Sequence, residues 1–264
     1  MQRGAVKWLV IGWIMVAQGT LATWDATHPL ATSTLVYSAE LIGGDLAVSA
    51  LGIAPLTCSG DFDLTAEIPN PMTTAIDAAY VVLIARSTNS NPSIGLTFDG
   101  AGMGNQTPRD VDQTSGVAYE LTYLWNVETE VTDPGVTSYH FQLSNCSALT
   151  NVFGIALIVV ISDSSAADAH LITINVGCEA VWNIWMTVPY AVAQFDADLM
   201  SGTDYRVELM GSLGDINSNE YLDFESVPIV NAGDIFNAAN GSSCTWFTSG
   251  EFSYSGGSGV QTLN

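Results

Sequence analysis

The stretch of this chain best suited to chemistry is Gly214-Asp215-Ile216-Asn217-Ser218-Asn219-Glu220-Tyr221-Leu222-Asp223-Phe224. Asp215, Asn217, Asn219 and Asp223 place side-chain oxygens at loop positions 1, 3, 5 and 9, and Tyr221 offers a backbone carbonyl at position 7. Calcium takes such an array of hard oxygen ligands. The pattern departs from a full calcium loop at two places. Glu220 stands where glycine makes the sharp turn, and Ser226 stands where a bidentate Glu closes the loop, with Glu225 one residue off. The alternative is a polar β-turn between two strands. Calcium is the one cofactor the sequence puts forward.

Catalytic constellations are absent. His28, His140 and His170 are widely spaced, and no Gly-x-Ser-x-Gly, His-Glu-x-x-His or P-loop occurs. Carboxylates are plentiful, but none stands out as a glycosidase pair, and abundant Asp on an exported surface normally serves solvation. No enzyme is expected, with a secreted hydrolase kept as an alternative. Trp182 and Trp185 are candidates for a sugar-stacking platform, yet a spacing of three places them on opposite faces of a strand. An extracellular carbohydrate-binding module is therefore a second alternative.

Cys58, Cys146, Cys178 and Cys244 are an even set without metal-ligand spacing. In an exported chain such a set reads as two disulfides. Three pairings are possible. Cys146–Cys178 with Cys58–Cys244 is favoured, because the first pair flanks one expected hairpin and the second ties early chain to late chain. Asn105, Asn145 and Asn240 each open an Asn-x-Ser/Thr sequon, a glycosylation acceptor in a host that uses it.

The export reading comes from the first 22 residues. Met1 to Lys7 is short and basic, Trp8 to Val16 is apolar, and small residues follow up to Ala22. That order is a secretory signal peptide, with cleavage after Gly19 or Ala22. The apolar run is shorter than the roughly 20 residues of a spanning helix, so no stable membrane insertion is expected after cleavage. Arg3-Gly4-Ala5 also resembles a type IV prepilin processing site, so a pilin-like subunit with a retained N-terminal helix is a third alternative. Lys7 within the apolar stretch and the lack of a Glu five residues after Gly4 count against it.

Of the 264 residues only 12% are charged, 5 basic against 27 acidic, for a formal charge of −22. Arg3 and Lys7 leave with the signal segment, so three arginines face 27 acidic residues and the remaining chain carries −24. Nucleic acid, which needs a basic footprint, is excluded as a partner. With 48% hydrophobic residues the chain can bury a sizeable core.

Past the signal segment, short runs rich in Val, Ile, Thr, Tyr and Phe recur between Gly, Pro, Asn, Asp and Ser clusters, which is the pattern of strands and turns. Strands are expected at 34–42, 46–53, 79–86, 95–98, 118–126, 138–143, 152–161, 170–176, 185–192, 205–213, 222–228 and 245–254. Val152–Ile161 has no charge and reads as a strand buried on both faces. The Ser162–Asp168 turn cluster after it predicts a hairpin with His170–Val176. The sum is an all-β fold, an antiparallel β-sandwich or jelly roll of about a dozen strands. Residues 23–264 are expected to form one domain, with a joint near 55–75 and a flexible tail at 253–264.

The order of segments resembles a β-sandwich domain of unknown function found in methanogen and bacterial cell-surface proteins. Ile68-Pro69, Ala78–Leu83, Leu96–Gly100, Gly154–Val160, Ile172–Gly177, Gly214-Asp215 and Asp223-Phe224 carry the likeness, over roughly residues 65–250. Ile84-Ala85-Arg86 departs from the aromatic end of that family's first strand. The resemblance implies a surface or adhesin-like sandwich and supplies no catalytic residues. The expected function is a secreted or cell-surface structural or adhesive protein, a subunit that self-associates or joins other surface proteins by strand pairing. Thr34–Ile42 and the C-terminal tail are the candidate pairing segments, and a glycan is a further candidate partner.

Overall fold

The structure is a computed structural model and describes residues 7–12, 31–32, 34–52, 58–68, 70–115, 118–177, 193–196, 203–212, 220–224, 227–233, 244–248, 252–254 and 260–263. In chain order the strands are β1 (Lys7–Gly12), β2 (Ala31–Thr32), β3 (Thr34–Ile42), β4 (Asp45–Gly52), β5 (Ser59–Asp63), β6 (Thr74–Ser87) and β7 (Ile94–Phe98). There follow β8 (Ala101–Gln106), β9 (Asp110–Ser115), β10 (Ala118–Asn126), β11 (Ser138–Ser144), β12 (Asn151–Asp163) and β13 (Ala169–Val176). The later strands are β14 (Ala193–Asp196), β15 (Thr203–Ser212), β16 (Glu220–Phe224), β17 (Val227–Gly233), β18 (Cys244–Thr248), β19 (Phe252–Tyr254) and β20 (Val260–Leu263). Among the described residues the one helical element is the 3-10 turn Cys146–Ala148. The all-β class and the sandwich arrangement expected from the sequence are what the chain adopts.

Three sheets stack. The middle one runs β4-β12-β6-β10-β9 and is antiparallel throughout. Alternate side chains of a strand point to opposite faces, so a middle layer needs apolar residues at both parities. The sequence provides this on β6 and β12. Ala79, Val81, Leu83, Ile155, Leu157 and Val159 face one core, with Phe62, Phe98 and Phe141 of the sheet β5-β11-β7-β8. Tyr80, Val82, Ile84, Ile158 and Val160 face a second core, with Ile172, Ile174, Val176 and Met210 of the outer sheet β18-β15-β1-β13-β3. The double burial of Val152–Ile161 is therefore correct, and its cause is a position between two layers.

The β5-β11-β7-β8 sheet is half-solvated. Tyr139, Phe141 and Leu143 of β11 are buried while the residues between them are exposed. Its β7–β8 connection is the pair Asp99-Gly100, both at positive φ (47° and 86°). That is the two-residue hairpin turn whose twist matches the flanking strands. Two buried aromatics of β10 place their polar atoms on backbone carbonyls. The Tyr123 hydroxyl donates to Pro92 O at 3.0 Å, and Trp125 Nε1 donates to Gly104 O at 3.3 Å.

Two expectations are corrected. β12 and β13 do not form a hairpin: β12 pairs with β4 and β6 in the middle sheet, and β13 pairs with β1 and β3 in the outer one. The Ser164–Asp168 turn carries the chain between layers, with Gly43 N bonding Asp168 O at 2.7 Å. The disulfide joins Cys58 to Cys146, with Cα atoms 6.2 Å apart, in place of either favoured pair. Cys58 precedes β5 and Cys146 follows β11, and antiparallel pairing of those strands brings the two sulfurs together. Cys178 lies outside the described residues, and Cys244 opens β18.

The expected strand at 222–228 is two paired strands, β16 and β17, and 245–254 is likewise split into β18 and β19. The expected strand at 185–192 lies outside the described residues. β1 is parallel to both of its neighbours, and β14 is parallel to β2; the remaining ladders are antiparallel.

Candidate functional site

Where the outer and middle sheets meet, β4, β15 and β18 enclose a cleft of about 620 Å³. Arg206 and Glu208 alternate on β15 and so share one face. Arg206 bridges two carboxylates. Its Nη2 pairs with Asp45, at the start of β4, and with Glu208 Oε1 at 2.7 Å. The second oxygen of Glu208 accepts the indole N–H of Trp246, on β18, at 2.7 Å. Glu67 and Asp163 add carboxylates to the lining, and Leu46, Val48 and Ile161 add apolar wall.

Burial raises the carboxyl of Glu208 above the ordinary Glu range, and Asp45 and Glu67 add to the rise; Arg206 and the Trp246 hydrogen bond oppose it. Asp163, exposed at its carboxyl, is held low by hydrogen bonds from Ser165. The cleft is thus an acidic, aromatic-edged recess with one guanidinium at its floor. It is equipped to bind polar groups by hydrogen bonding beside an indole.

None of Asp45, Arg206, Glu208 and Trp246 was singled out from the sequence. A signal existed: after residue 22 the chain has three basic residues besides histidine, Arg206 is one of them, and Glu208 is two positions away on the same strand. Of the expected calcium ligands, Asp215, Asn217 and Asn219 lie outside the described residues, while Tyr221 and Asp223 belong to β16. Among the described residues no three His, Cys, Asp or Glu side chains are grouped to hold a metal. Trp182, Trp185, His28 and Asn240 lie outside the described residues.

The other expected positions are spread over the surface. Asn105 is exposed on β8, and its side chain lies over Gly95. Asn145 is exposed, at φ 58°, and its Nδ2 donates to Ser93 O at 3.3 Å. His140 Nδ1 pairs with Asp61 Oδ1 at 2.8 Å on the solvent face, and His170 Nδ1 meets Gly44 O at 2.5 Å. Neither histidine lines the cleft. A second feature is the edge of the outer sheet. Among the described residues β3 pairs with β13 on one side and ends the sheet on the other, with Leu35 (47%) and Ile42 (56%) exposed.

Neither a protein-family model nor a curated protein matches the sequence. Among solved structures the chain is similar to dimeric latent PorU from Porphyromonas gingivalis, at a TM-score of 0.33 and 7% identity. The match covers 85% of this chain and 20% of PorU, so the chain spans about a fifth of that protein's length. At that score the likeness carries no argument about function.

Proposed function

We propose that this protein is an exported structural or adhesive β-sandwich subunit of an extracellular or cell-surface assembly, joined to its neighbours by strand pairing. The observation that carries the reading is β3. An edge strand presents a row of unpaired backbone donors and acceptors, and natural sheets usually blunt such an edge with charge or proline. Thr34–Ile42 has no lysine and no proline, Glu40 is its one charged residue, and it exposes Leu35 and Ile42. The disulfide, the anionic charge-poor composition and the resemblance to surface sandwich domains support the same reading. It assigns the chain no reaction. It includes export directed by residues 1–22, calcium at the 215–223 loop, and glycans on Asn105, Asn145 and Asn240 where the host attaches them.

The test replaces the edge residues with charge. Leu35→Lys with Ile42→Lys leaves both cores untouched and should abolish self-association of the exported protein. Undiminished association in that variant would overturn the reading.

The cleft favours a second reading, a carbohydrate-binding module. Trp246 beside Asp45 and Arg206 offers an indole and planar polar groups within one recess. A glycan-array signal lost in Asp45→Asn and in Trp246→Ala supports it, and an array without signal removes it.

A further inference from the structure

β1 occupies the middle of the outer sheet. Lys7–Gly12 runs parallel to Leu171–Val176 of β13 on one side and to Tyr205–Met210 of β15 on the other. Both partners come from far along the chain, so no tight turn ties β1 to either. The same six residues fall within the export segment. Their removal leaves two facing strand edges without hydrogen-bond partners, beside the core residues Ile172, Ile174, Val176 and Met210. Buried backbone groups are very rarely left unpaired, so such a slot accepts a strand.

We propose that Lys7–Gly12 is a plug: it fills the slot in the precursor, and its removal on export hands the slot to Thr34–Ile42 of a second copy. The proposal rests on the reading of this chain as an exported, processed subunit. Three observations favour this donor. β3 is the first long strand after the cut, and among the described residues it is bound along one edge only. In the slot of another copy it gains a second ladder, so exchange increases its pairing. Asn175 on the slot wall is 1% exposed, and neither of its amide atoms has a partner among the described residues. Beyond Lys7 the plug, Lys-Trp-Leu-Val-Ile-Gly, brings one polar side-chain group, the indole N–H of Trp8, and no acceptor, whereas the donor brings Thr34, Ser38 and Glu40.

Each copy then carries one donor and one acceptor. Such head-to-tail contacts build open chains when the rotation between copies does not close.

The experiment uses the exported protein, its N-terminus read by mass, refolded with and without a synthetic peptide of residues 5–14. Without peptide, chains beginning after Gly19 or Ala22 should assemble. With excess peptide they should run as monomers carrying one peptide each, and a peptide with Leu9→Pro should have no effect. Precursor made without export, residues 1–22 retained, should stay monomeric. A processed chain that is monomeric and takes no peptide, or one whose assembly the peptide leaves unchanged, overturns the plug. An exported chain that still begins before Lys7 overturns the processing on which the proposal rests.

Discussion

Trp246 donates its indole N–H to Glu208 across 2.7 Å, and this bond ties β18 to β15 in the wall of the cleft. Glu208 is 4% exposed, so each of its oxygens needs a partner; Arg206 serves one and Trp246 the other. Removing only the indole donor, by Trp246→Phe, keeps an aromatic ring in place and strands one carboxylate oxygen. The expected cost is about 1–3 kcal/mol, measured by urea unfolding at neutral pH. Unchanged stability would show that the bond does not hold the two strands together.

Glu208 also sets a pH dependence. Its carboxyl is raised in the folded chain, so between the ordinary Glu range and that raised value the folded state binds more protons than the unfolded state. Stability therefore falls as pH climbs through that window and levels off above it. Glu208→Gln should lack this fall. Urea midpoints across mildly acidic to neutral pH, compared between wild type and variant, test the sign; parallel profiles would contradict it.

Arg86 and Glu120 are cross-strand partners in the middle sheet, with Glu120 fully buried and Arg86 stacked 5.2 Å from the Phe153 ring centroid. Arg86 Nε donates to Glu120 Oε1 at 2.7 Å. Truncating one member of a buried pair leaves the other charge unpaired. Glu120→Ala should cost about 3–5 kcal/mol, against far less for the double replacement Arg86→Met with Glu120→Leu. Equal losses in the two variants would contradict a buried ion pair.

The disulfide closes a long loop, at a sequence separation of 88. Cys58→Ser should lower stability by about 2–5 kcal/mol. A peptide map under non-reducing conditions should recover Cys58 linked to Cys146. Recovery of either residue with Cys178 or Cys244 would contradict the pairing.

The calcium reading has its own measurement. Isothermal titration of the wild type should show binding that disappears in Asp215→Ala with Asp223→Ala. A wild type without binding heat would remove calcium from the account.

Much of the fold was legible because its signal is local. Thr34–Ile42 and Ala118–Asn126 match β3 and β10 residue for residue, since β-branched and aromatic runs bounded by turn residues mark strands whatever the topology. β5 escaped notice because Ser59-Gly60-Asp61-Phe62-Asp63 shows one apolar residue, which is all that a half-solvated edge strand needs to bury. The β12–β13 connection was misjudged because a polar turn cluster looks alike whether it reverses the chain within a sheet or carries it to the next layer. The disulfide partner and the cleft depend on strands far apart in the chain. Glu208 meets Trp246 only once β15 and β18 pair, and Arg206 meets Asp45 only once the outer and middle sheets stack.

The central claim is assembly through strand pairing, and an electron micrograph of the native exported material tests it most directly. The account predicts filaments or an ordered surface array. Dispersed single particles at high concentration would contradict it.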